Sequence, residues 1–116
     1  MDARELRERT LEFGLRIVRL CQYLQRRPVA EVLGKQLLRC GTSVGANYRA
    51  ASLAKSPADF VSKIKICEEE ADESIYWLEL LIRSGEIDAE RVKRCRRRQQ
   101  NSAISCLPVQ KLRATI

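Results

Sequence analysis

One periodic stripe at the start of the chain limits what it can fold into. Leu6, Thr10, Phe13, Ile17, Leu20 and Leu24 follow one another at spacings of four and three. That rhythm tracks the turn of an α-helix and places these side chains on a single face. A strand would need alternation at every second position. The spacing predicts a helix over residues 2–27, closed by Pro28, because the residue before a proline is pushed out of helical geometry.

The same reading extends along the chain. A second helix is expected over 30–53, with Leu33, Leu37, Cys40, Val44, Asn47 and Ala51 keeping the rhythm. Gly41 and Gly45 lie beside that seam, each unfavourable in a helix by up to about 1 kcal/mol relative to alanine. Either they admit the close approach of another backbone, the preferred reading, or they kink the helix. The third helix has the clearest boundaries: Ser56 as N-cap, Pro57 in the first turn, Asp59 at the positive end and Gly85 as the stop. Its seam runs through Phe60, Ile64, Cys67, Ala71, Ser74, Leu78 and Leu81, widened by Ile75 and Ile82, with Glu68, Glu69, Asp72, Glu73 and Glu79 outside. A fourth helix should start at Asp88, with Ile87 and Val92 as a hydrophobic staple. Its middle is almost devoid of apolar residues, and Pro108 interrupts it.

Four helices on short connections imply an all-α, antiparallel up-down-up-down bundle over residues 1–107, the fourth helix short, followed by a tail over 108–116. A chain of 116 residues, 45% hydrophobic and 32% charged, suits one domain that buries roughly two-thirds of its unfolded surface. Aromatics at 5% and few glycines and prolines favour helix over sheet.

Chemistry is harder to place. The chain has no histidine, so the commonest acid–base group and any Ser-His or Cys-His pair are missing. Its five cysteines, at 21, 40, 67, 95 and 106, are scattered and form no CxxC pair. They read as small apolar residues in a reducing cytoplasm. No metal site, cofactor or catalytic group is expected, although carboxylates on the third helix keep catalysis conceivable. The opening MDARELRERT lacks the apolar core of a signal peptide. No apolar run approaches the roughly 20 residues of a membrane span.

Binding is better signposted. Lys and Arg outnumber Asp and Glu by 22 to 15, for a net charge of +7. Arg91, Lys93, Arg94, Arg96, Arg97 and Arg98 form the densest run, and Arg16 and Arg19 on the first helix could extend it. Few acids lie nearby, so these cations point to a polyanion's phosphates, with no aromatic interleaving to suggest base stacking. The competing outlet is the acidic third helix of a neighbouring subunit. Leu11, Leu15 and Val18 make a second apolar stripe on the first helix, which either widens the core face or marks an oligomer interface. Asn47 and Ser74 occupy core-type positions and Glu70 flanks them. Asn47 is expected to fix helix register, the alternative being a small ligand site between helices.

The segment LLRCGTSVGANYRAASLAKSPADFVSKIKICEEEADESIYWLELL, with its S-V-G-A-N-Y and E-A-x-E-x-x-Y-W-L motifs, resembles a known family. It is similar to the bacterial four-helix-bundle proteins first noted as reading frames in intervening sequences of large-subunit ribosomal RNA genes. That family includes the accessory protein of diversity-generating retroelements. The resemblance spans residues 6–87 and implies a bundle assembled into a ring, typically a homopentamer. From the retroelement member it also implies a basic surface for RNA or DNA and a reverse transcriptase as protein partner. Arg39, Ser43, Asn47, Tyr48, Glu70, Tyr76 and Trp77 match the family pattern. Ala50 stands where the family has glutamate, and the chain departs from the apolar fourth helix after Cys95. Together these features suggest a non-enzymatic, self-assembling binding module, with a purely structural adaptor as the alternative.

Overall fold

The computed structural model describes residues 2–88, which form three helices: α1 (Ala3–Tyr23), α2 (Pro28–Ser52) and α3 (Pro57–Arg83). The fourth helix, the Asp88 capping role, the Ile87–Val92 staple and the Arg91–Arg98 run depend on residues outside the described ones.

Local chemistry explains the boundaries. Asp2 caps α1 by accepting from the Glu5 backbone N–H at 2.8 Å. The helix ends at Tyr23, four residues short of the expected end, and Arg26 takes a left-handed φ of 82° in the reversal that follows. Pro28 opens α2 as well as following a stop, since its missing N–H costs nothing in a first turn. Ser56 accepts from the Asp59 N–H at 3.1 Å, and Asp59 pairs with Lys63 at 2.8 Å. That hydrogen bond, followed by one from the Lys55 backbone N–H, holds the Asp59 carboxyl below its usual range. At the other end Gly85 adopts a φ of 80°, which glycine reaches without strain, while the Glu86 N–H bonds the Leu81 carbonyl.

α2 is the middle element, packing on α1 along one side and on α3 along another. Phe13, Ile17 and Leu20 from α1, with Leu24 just past its end, meet Ala30, Leu37 and Val44 from α2 and Ala71, Leu78 and Leu81 from α3. Ile87 closes the same core from beyond α3. The α1 stripe is therefore buried from Thr10 to Leu24, as its spacing requires, with Leu6 half-buried. The α3 seam is buried from Cys67 onward. Phe60, at its start, stays 44% exposed.

The two glycines act as packing residues, and α2 runs unbroken through both. A Cβ on Gly41 would stand 2.8 Å from Ile17 Cγ1, and one on Gly45 would stand 3.3 Å from the Thr10 carbonyl oxygen. Their missing side chains let α1 lie directly on α2.

Candidate functional site

Three features of the surface bear on function, and the first is polar. Arg39 on α2 reaches across to α3, where its guanidinium bonds Glu73 at 2.6 Å and Glu70 at 3.4 Å. The Glu73 bond holds Arg39 still more firmly in its charged form. Beneath this pair, Ser74 is fully buried, donates to the Glu70 carbonyl at 2.8 Å and lies 3.3 Å from Cys40 Sγ. Ser74 and Glu70 are thus neighbours, as their sequence placement suggests.

Asn47 behaves differently from the expectation. It is half-buried, and its amide donates to the Ser43 carbonyl one turn earlier in α2 at 2.8 Å. A bond within one helix carries no register information, so cross-helix locking finds no support here. Glu70 turns instead to Arg39, a partner that sequence spacing could not assign.

Cys40 Sγ and the Glu70 and Glu73 carboxylates lie within 4.8 Å of one another, a donor set that could in principle hold a metal ion. The residues do not fit that role. Arg39 already pairs with both carboxylates, and burial raises the Cys40 thiol's pKa, so an ion would have to displace a guanidinium and remove a proton that the thiol holds firmly. Burial likewise pushes the Cys21 and Cys67 thiols up to about 11, which keeps them protonated and unreactive near neutral pH.

The second feature is an apolar groove of about 330 Å³ between α1 and α2, on the side of α2 away from α3. Leu11, Leu15 and Val18 form its α1 wall, so the second stripe comes together as one surface. Leu11 and Leu15 remain 44% and 40% exposed, and the described core does not absorb them. Gly14, Gly45 and Ala46 leave the floor low, while Arg7 and Arg49 stand at the rim. These two arginines are far apart in sequence, and only the antiparallel pairing of α1 and α2 brings them together.

Charge layout is the third feature. Residues 2–88 contain 14 cations and 14 carboxylates, so the whole excess of +7 belongs to residues 89–116. Within the neutral part the charges separate. α3 carries seven carboxylates against three cations, whereas α1 and α2 together carry eight cations against four carboxylates. Arg16 is half-buried and Arg19 exposed on α1. No helix among the described residues is long and apolar enough to cross a membrane.

Comparison with known proteins bears on the family and the fold. A family model described as 23S rRNA-intervening sequence protein matches residues 4–103. A solved structure from Bacteroides thetaiotaomicron VPI-5482, a protein with unknown function from the S23 ribosomal protein family, is 46% identical. It superposes with a TM-score of 0.72, covering 77% of this chain and 82% of that chain. No curated protein matches. The family match runs through all three helices and both quoted motifs, and the chain belongs to the 23S rRNA-intervening sequence protein family.

Proposed function

We propose that this protein is a non-enzymatic binding module, a helical bundle that self-associates and contacts the phosphate backbone of RNA or DNA. The observation that carries this reading is the partition of charge. Three helices that sum to zero carry a segment that supplies the entire +7, six of its cations falling between Arg91 and Arg98. A solubilising surface would spread such charge, whereas concentration at one end suits a polyanion. In this reading residues 88–107 complete a fourth antiparallel helix, Arg16 and Arg19 extend the basic face, and the cell compartment is the cytoplasm. The exposed Leu11–Leu15–Val18 groove supports self-association, since monomers seldom leave such a surface open. A catalytic role has little to work with: histidine is absent, and the described carboxylates nearest a thiol are tied to Arg39.

Binding to duplex RNA or DNA, measured by fluorescence anisotropy across a salt series, tests the reading. Neutralising six phosphates gives a log K against log salt slope of up to about −5. No binding at 50 mM salt would remove it. The second reading, a structural adaptor, is favoured by the acidic surplus on α3, which a neighbour's basic segment could meet. A protein partner such as a reverse transcriptase would then be held without nucleic acid.

A further inference from the structure

The α1–α2 groove needs an occupant, and the chain carries a surface that matches it. Glu69, Asp72 and Tyr76 follow at spacings of three and four, which puts them on one face of α3, turned away from buried Cys67, Ala71, Ser74 and Leu78. Glu69 and Asp72 are exposed and make no ion pair among the described residues, and Tyr76 is 57% exposed. The groove presents the complement: Leu11 and Leu15 for an aromatic ring, with Arg7 and Arg49 beside them. Both arginines are exposed, and among the described residues neither has a carboxylate partner.

We infer that the groove of one copy receives the Glu69–Asp72–Tyr76 face of α3 from a second copy. This rests on the self-association proposed above and specifies its geometry. The face cannot reach the groove of its own chain, because α3 packs on the far side of α2, with Cys67 Sγ donating to the Val44 carbonyl at 3.6 Å and Ser74 beside Cys40. Nor does the groove suit its own copy, since that pairing sets Arg7 and Arg49 of one subunit against those of another. Two different surfaces meeting head to tail make a heterologous contact, which closes into a ring or extends as a filament.

Reciprocal charge reversal tests the pairing by sedimentation equilibrium of the full chain, with circular dichroism to verify helix content. Wild type should exceed the 13.3 kDa of one chain. The groove variant R7E/R49E and the face variant E69R/D72R should each lose the larger species. Mixing the two at 1:1 should restore association, because each groove then meets a face of opposite charge; the two variants must alternate, so a mixed ring closes only on an even number of chains. The quadruple variant is free of that constraint and should recover the wild-type mass by itself. Assembly by the quadruple variant also excludes misfolding as the cause of the separate losses. Wild type at one chain's mass would end the self-association reading and this pairing with it. An oligomeric wild type whose mass E69R/D72R leaves unchanged would overturn the pairing alone.

Discussion

The two helix junctions in this molecule are built by opposite means. Where α1 meets α2, side chains have been removed: Gly41 accepts Ile17 and Gly45 accepts the Thr10 backbone. Where α3 meets α2, side chains reach across: Arg39 bonds Glu73 and Glu70 over buried Ser74 and Cys40. The first junction depends on shape, which tolerates little change in volume. The second adds exposed charge, which water and salt weaken. Of the two glycines, Gly45 also lines the groove, beside Gly14 and Ala46, so one small residue serves both the tight contact with α1 and the open apolar surface next to it.

Substitutions in α2 and α3 should sharpen this contrast. The largest effect is expected for Gly41→Ala, whose new methyl collides with the buried Ile17 side chain. Overpacking should cost about 1–3 kcal/mol, set against a helix-propensity gain of at most about 1 kcal/mol. Gly34→Ala in the same helix meets only ordinary contact, 3.5 Å from Leu24 Cδ1, and should stabilise by about 0.5–1 kcal/mol. Urea unfolding of the two variants should therefore move the midpoint in opposite directions; parallel shifts would refute the close-approach role. Ser74→Ala comes next. Its hydroxyl bonds a carbonyl of its own helix, so the loss should be about 1 kcal/mol or less in the same assay. Smallest is Arg39→Gln, which leaves Glu70 and Glu73 side by side near the surface. Its midpoint shift should shrink as salt is raised, and a shift independent of salt would mean that packing dominates at Arg39.

What could be read from residues alone follows the same division. The α1 stripe, the Ser56–Pro57 start of α3, the Gly85 stop and the small-residue contact at Gly41 and Gly45 all declare themselves through local spacing or one residue's geometry. Asn47 did not, because an amide at a seam position can bond either across the interface or back to its own helix, and here it bonds Ser43. Pro28 carries two meanings, a stop for one helix and a first turn for the next, and only the reversal through Arg26 shows that both apply. The pairing of Arg39 with Glu70 and Glu73, and of Arg7 with Arg49 at one groove, depends on which helices lie side by side. Of the candidate site, the groove wall was legible in Leu11, Leu15 and Val18, while its charged rim was not. The six cations of the basic segment lie outside the described residues.

The central claim is that the basic run from Arg91 to Arg98 supplies most of the contact with the polyanion, with Arg16 and Arg19 adding to it. Replacing Arg91, Lys93, Arg94, Arg96, Arg97 and Arg98 by glutamine in the full chain, and titrating it beside wild type with duplex RNA over a salt series, tests that most directly. The account predicts that the variant keeps its helical dichroism and loses both affinity and most of the salt slope. Equal affinity and an equal slope for the two proteins would contradict it.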